Sequence, residues 1–128
     1  MSSLANLSAL AASVAGDPRP IHILCAGTRD EISLDDCLPA GALVERLLAS
    51  GRTLVQDDSG RLCLRAWQEA SRTPATLAAA MRDTRGGRNL IKIGMEADVD
   101  FCSRVDTLPV VPVFDPNSAL VTRTQPRA

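Results

Sequence analysis

Residues 21–36, IHILCAGTRDEISLDD, restrict the folds open to this chain more than any other stretch. A short apolar run (Ile21, Ile23, Leu24) ends in Cys25 and predicts a strand over 21–25. The small-residue turn Ala26-Gly27-Thr28 and the charged loop Arg29-Asp30-Glu31 follow, and Ser33 then opens a helical pattern with Asp35 and Asp36 in its first turn. Strand, tight turn, polar loop and helix N-terminus in succession is how open α/β sheets build ligand sites at strand C-terminal ends. Hydroxyl, thiol, guanidinium and carboxylate groups all converge there. Any chemistry is expected at this turn first.

The flanking sequence alternates helices with breaks. Ser2 or Ser3 caps a predicted helix through Val14, with Leu4, Leu7, Leu10 or Ala11, and Val14 on one stripe and Gly16 as its stop. Asp17-Pro18-Arg19-Pro20 is a turn. From Ser33 the helical pattern runs through Leu34, Cys37, Leu38, Val44 and Leu47 and ends before Gly51, with Ser33 and Asp36 as a variant capping box. Pro39 interrupts it, and a kink is favoured over a restart. Asp57, Asp58 or Ser59 caps a helix to about Ser71 that turns Leu62, Cys63, Ala66, Trp67 and Ala70 inward. Thr73-Pro74 opens another to about Asp83.

Arg85-Gly86-Gly87-Arg88 is expected to be a break before a short helix that stops at Gly94. A helix over Ala97–Arg104 offers Val99, Phe101, Cys102 and Val105 to the core, and Pro109–Phe114 is expected to be a final edge strand. These elements predict an α/β domain over 1–114, helices layered around a small mixed sheet, with a polar frayed tail over 115–128. Two strands make a thin sheet with unpaired edges, so the chain is expected to belong to a larger α/β unit or to pair with another copy.

Composition narrows the function classes. A net charge of −1 and an aromatic content of only 2% favour neither nucleic acid nor an anionic membrane as a partner. No apolar run suits a bilayer span and no basic leader segment precedes one, so a cytoplasmic location is expected. The 4 cysteines (25, 37, 63, 102) form no CxxC and the sole histidine is His22, which argues against structural zinc and for free thiols. Cys37, Cys63 and Cys102 are expected to pack as small hydrophobes, and His22 to be structural.

Several motifs fail on spacing. Gly27 stands alone where a dinucleotide site needs G-x-G-x-x-G, and a Walker loop is absent. In cysteine-dependent phosphatases an arginine follows the nucleophile by six positions, and here Glu31 stands there. Asp98-Val99-Asp100 resembles an aspartate-nucleophile motif but sits in a helical pattern, so these carboxylates are expected to be solvated or capping groups. What survives is recognition of an anion beside a divalent metal. Turn amides and helix N-termini attract phosphate, Arg29, Arg85 and Arg88 add guanidinium groups, and Glu31 and Asp36 are hard donors of the kind Mg²⁺ takes.

The string HILCAGTRDEISLDDCLPAGALVERL resembles the signature region of the 2-phosphosulfolactate phosphatases, with its C-A-G-T turn, S-L-E-D helix start and A-G-A segment. Thr84-Arg85-Gly86-Gly87-Arg88-Asn89-Leu90, then Gly94, Asp98-Val99, Cys102, Asp106 and Val110-Val111-Pro112-Val113, is similar to that family's closing stretch. Asn6, Ser8 and Ala9 match its N-x-S-A helix. The resemblance implies Mg²⁺-dependent hydrolysis of (R)-2-phospho-3-sulfolactate, a step of coenzyme M biosynthesis in the family, on a small anionic phosphoester substrate.

By the same resemblance Cys25, Thr28, Glu31 and Asp36 would be catalytic, and Gly27, Arg29, Ser33, Arg85 and Arg88 would bind substrate. Glu31 and Asp36 would hold the metal, while close packing at the turn is favoured over a nucleophile role for Cys25. The family resembles two α/β lobes, of which this chain matches the second. The first lobe's D-x-x-R-A-x-T-T and T-T-N-G-T motifs have no counterpart, as in a fragment, a split gene or a misassigned start. Asp35 stands for the usual Glu, and Gly86 for Asn or His. The chain is therefore expected to need the missing lobe or to form a homo-oligomer. The alternative is a non-catalytic remnant or anion-binding α/β domain.

Overall fold

The computed structural model describes residues 2–53 and 58–124. Ser3 leaves an extended approach and caps a 3-10 turn, Leu4–Asn6, its N–H donating to Asn6 Oδ1 at 2.8 Å. Helix α1 (Leu7–Ala15) follows and ends at Gly16, and Leu4, Leu7 and Ala11 form the buried stripe its spacing predicts. The segment 103–110 straps this turn from outside. Asp106 N–H donates to the Leu4 carbonyl (3.0 Å), Leu108 N–H to the Ala5 carbonyl (2.7 Å), and Asn6 Nδ2 to the Val110 carbonyl (2.9 Å).

Helix α2 (Leu34–Ala49) is the centre of the molecule, with Leu38, Ala40, Gly41, Ala42, Leu43, Val44 and Leu47 all buried. A helix apolar on so many sides must be covered on several. Pro39 lies within it and the helix does not restart there. Helix α3 (Asp58–Ala70) approaches α2 at Gly41, where an added Cβ would stand 2.0 Å from the Cys63 carbonyl oxygen and 2.8 Å from Trp67 Cβ. Trp67 fills the adjoining core and donates from Nε1 to Glu45 Oε2 at 2.8 Å. Of the three proposed caps for α3, Asp57 lies outside the described residues. Leu62, expected inward, is 71% exposed.

Thr73 caps α4 (Pro74–Asp83), accepting from Thr76 N–H at 3.1 Å, with Pro74 at its first position as expected. The expected break at 85–88 is instead the first turn of α5 (Arg85–Lys92). Buried Thr84 caps it, accepting from Gly87 N–H and donating to the Met81 carbonyl, each at 2.9 Å. The glycines permit this tight junction, since a Cβ at Gly87 would stand 2.1 Å from the Met81 carbonyl oxygen.

Helix α6 (Glu96–Cys102) buries Val99 but leaves Phe101 and Cys102 exposed, against expectation, because only one of its faces reaches the core. Cys37 and Cys63 are half-buried, and all four thiols are free. Asp100 forms an exposed ion pair with Arg82 (2.7 Å), in line with a surface role.

The sheet is an antiparallel pair, β1 (Val111–Asp115) with β2 (Leu120–Thr124), in a register that sets Val113 opposite Thr122. The α/β class stands, but the strands are placed differently from the sequence reading. Residues 21–25 are not a strand, because no described segment lies alongside to form a ladder. Ile21 and Ile23 nevertheless pack against the core. Residues 120–124, expected in a frayed tail, are strand because β1 offers them a partner. Among the described residues no helix is long and apolar enough to cross a membrane.

Candidate functional site

The site is a turn held against the N-termini of α2 and α5. Thr28 and Glu31 exchange backbone hydrogen bonds (Thr28 N–H to Glu31 carbonyl 3.0 Å, Glu31 N–H to Thr28 carbonyl 3.2 Å) around Arg29 and Asp30, both left-handed at φ 54° and 61°. Two successive positive φ values define a tight type I′ geometry that normally takes Asn or Gly. Side chains at such positions carry strain of about 1–2 kcal/mol per residue, and strain of this kind concentrates at functional turns. Gly27 enters the turn at φ 71°, where a Cβ would stand 2.8 Å from the Glu31 carbonyl oxygen. Only glycine meets both conditions.

Helix α2 anchors the turn from below. Asp36 Oδ2 accepts the Gly27 N–H at 2.7 Å. Ser33 is buried at the N-cap, but its hydroxyl does not close the expected capping box. It donates to Asp35 Oδ1 at 2.6 Å and accepts from Thr28 Oγ1 at 3.3 Å. The proposed capping pair is thus diverted into the site, because both side chains find partners in the turn.

Helix α5 anchors it from the side. Arg85 reaches Glu31 Oε2 through one guanidinium nitrogen and the Thr28 carbonyl (3.5 Å) through another. Arg88 does not join; it turns back to the carbonyl and carboxylate of Asp83. Arg29 is exposed on the turn itself.

Asp35, which the sequence places in the first turn of α2 without a site role, also belongs to this arrangement. Its carboxylate lies against α5, and a Cβ at Gly86 would come within 2.6 Å of Asp35 Oδ2. The signal lay in the two departures from the family pattern, the shorter Asp35 and the side-chain-free Gly86, which fit one another.

Cys25 closes the apolar run beside Asp36, its Sγ 3.7 Å from the Asp36 carbonyl oxygen. Burial first, then Cys37 and the Asp36 charge, raises its pKa, so it is held as a thiol at neutral pH. Cys37 is pushed up to about 11, chiefly by burial and then by Cys63.

Among the described residues no three His, Cys, Asp or Glu side chains group closely enough to hold a metal ion. Glu31 and Asp36 supply oxygen donors with one oxygen each already engaged, by Arg85 and by the Gly27 N–H. Their chemistry fits Mg²⁺, which takes one or two carboxylates and completes its shell with water and phosphate. The arrangement sets backbone and guanidinium donors beside carboxylates.

The family model described as 2-phosphosulpholactate phosphatase matches residues 1–117. A probable 2-phosphosulfolactate phosphatase of Symbiobacterium thermophilum is 32% identical over 114 residues, covering 89% of this chain and 48% of its own length. Proteins of the same description from Deinococcus radiodurans (32% identical, 91% of this chain, 47% of its own length) and Prochlorococcus marinus MIT 9313 (35%, 87% and 46%) match equally broadly. The chain spans about half the length of these relatives. The match runs through the turn at 25–36 and the Arg85 helix alike, and on that breadth the chain belongs to the 2-phosphosulfolactate phosphatase family.

Proposed function

We propose that this chain supplies one wall of a phosphatase site that hydrolyses (R)-2-phospho-3-sulfolactate to 3-sulfolactate and phosphate, and that the rest of the site lies in the part of the family's length this chain does not span. The observation that carries the reading is the double anchoring of one strained turn, by Asp36 on Gly27 and by Arg85 on Glu31 and Thr28.

In this reading Arg85 and Arg29 bind the substrate's anionic groups. The phosphate draws Arg85 away from Glu31, which frees that carboxylate. Glu31 and Asp36 would hold Mg²⁺, which neutralises charge on the phosphate when bound. Thr28 and Ser33 orient oxygen atoms at the same edge. Cys25, exposed beside Asp36 rather than closely packed and kept protonated, leaves water as the acceptor of the phosphoryl group. A cytoplasmic location and a role in coenzyme M biosynthesis belong to the same proposal, and the free thiols agree with the former.

The engaged arginines also favour a second reading for the chain by itself. With Arg85 held by Glu31 and Arg88 by Asp83, both guanidinium groups are engaged by carboxylates of this chain, as in a non-catalytic domain.

A fusion of this chain to the unmatched half of the Symbiobacterium thermophilum relative tests the first reading. It is expected to release phosphate from 2-phospho-3-sulfolactate in a Mg²⁺-dependent manner. Arg85→Ala and Asp36→Asn are each expected to reduce that rate by about 10²-fold or more, the scale of losing one aligned charged donor or positioning group. A folded fusion without turnover would favour the second reading.

A further inference from the structure

All four thiols are free, and two of them sit where α2 and α3 touch. Side chains four residues apart share a helix face. Cys37, Gly41 and Glu45 therefore line one side of α2, and Cys63 and Trp67 one side of α3. These two faces pack against each other. Trp67 donates to Glu45 Oε2 at 2.8 Å, and a Cβ at Gly41 would stand 2.0 Å from the Cys63 carbonyl oxygen. One turn before Gly41, the Cys37 thiol is within hydrogen-bonding reach of Cys63. A disulfide joins residues only where the backbones run close, with Cα atoms roughly 4.4–6.8 Å apart. The missing side chain at Gly41 is what lets these two backbones approach. Both thiols are half-buried, so neither is sealed from a small reagent.

We propose that Cys37 and Cys63 form a redox-sensitive pair that closes a disulfide across α2 and α3 by exchange with a low-molecular-weight disulfide. The exchange runs through a mixed disulfide. The Cys63 thiolate attacks one sulfur of the reagent, forms a new S–S bond and expels the other half as a thiolate. Cys37, giving up its proton, then attacks the Cys63 sulfur and expels the second half. Two protein thiols are oxidised, and one small disulfide is reduced to two small thiols, which carry away both protons. Cys63 goes first because Cys37, pushed up to about 11 by burial and by Cys63 itself, holds too little thiolate near neutral pH. With the mixed disulfide beside it, proximity lets Cys37 complete the exchange. The product ties the first turn of α2, which carries Asp36, to α3.

Treatment of the native 128-residue chain with oxidised glutathione, followed by acid quenching and peptide mapping by mass spectrometry, tests this. The expected product is an internal Cys37–Cys63 disulfide that dithiothreitol reverses. It should exceed any other internal pair by about tenfold or more, the advantage of two thiols held in place. In denaturing urea the same treatment should lose that preference. Cys37→Ser, checked for an unchanged circular dichroism spectrum, should instead accumulate the glutathione mixed disulfide on Cys63. Exposed Cys102 should carry glutathione in both chains without an internal partner. Mixed disulfides with no internal crosslink in the native chain overturn the proposal. So does an internal crosslink through Cys25 or Cys102 in place of this pair, a preference that survives in urea, or a folded Cys37→Ser chain whose Cys63 stays unreacted. No activity enters the readout, so it stands or falls separately from the phosphatase reading.

Discussion

Gly27 shows how one residue type fixes the geometry of the turn. It combines φ 71° with a position where a Cβ would meet the Glu31 carbonyl oxygen at 2.8 Å. Gly27→Ala is expected to lower stability by about 1–2 kcal/mol from the left-handed backbone alone, with the contact adding to it. Gly16, at φ −85° with nothing within 4 Å of an added Cβ, is the control. Gly16→Ala should be neutral or stabilising by up to about 1 kcal/mol. Urea denaturation of the two variants measures both.

Cys37 makes a second residue-scale prediction. Its thiol is raised from 9.0 to about 11, so the stability from burying the neutral form is fully present below pH 9 and lost as pH rises through about 11. Cys37→Ala should flatten the alkaline fall in the unfolding midpoint. Iodoacetamide should label Cys37 in the native chain slowly at pH 8.

At the scale of elements, local chemistry was legible wherever it was self-contained. Thr73-Pro74 announces α4, Ser3 and Gly16 bracket the first helical segment, and the α2 stripe around Leu38, Ala42 and Leu47 is the core. The reading failed where the outcome depends on a partner far along the chain. Ile21–Cys25 has strand composition but no ladder among the described residues, while Leu120–Thr124 is a strand because β1 lies beside it.

Arg85-Gly86-Gly87-Arg88 resembles a break by composition. It becomes helix because Thr84 caps it and Gly87 lets the α4 carbonyls approach. The cap is therefore the decisive element there. Thr84→Ala removes a buried hydroxyl serving both α4 and α5 and should cost about 1–2 kcal/mol in thermal or urea denaturation. Of the candidate site residues, Cys25, Gly27, Thr28, Glu31, Ser33, Asp36 and Arg85 come together, because most lie within one short stretch of chain. Arg88 is drawn off by Asp83, a choice of ion-pair partner that spacing alone does not reveal.

For the molecule as a whole, the family match and the half-length coverage point the same way. The chain folds around α2 with one turn anchored by Asp36 and Arg85. The proposed function makes this wall insufficient by itself and competent with its counterpart. The direct measurement is phosphate release from 2-phospho-3-sulfolactate with Mg²⁺, run in parallel on the isolated chain and on its fusion to the unmatched half of a relative. No turnover is expected from the isolated chain, and Mg²⁺-dependent turnover from the fusion. Turnover by the isolated chain, or a folded fusion that remains inactive, would contradict that proposal.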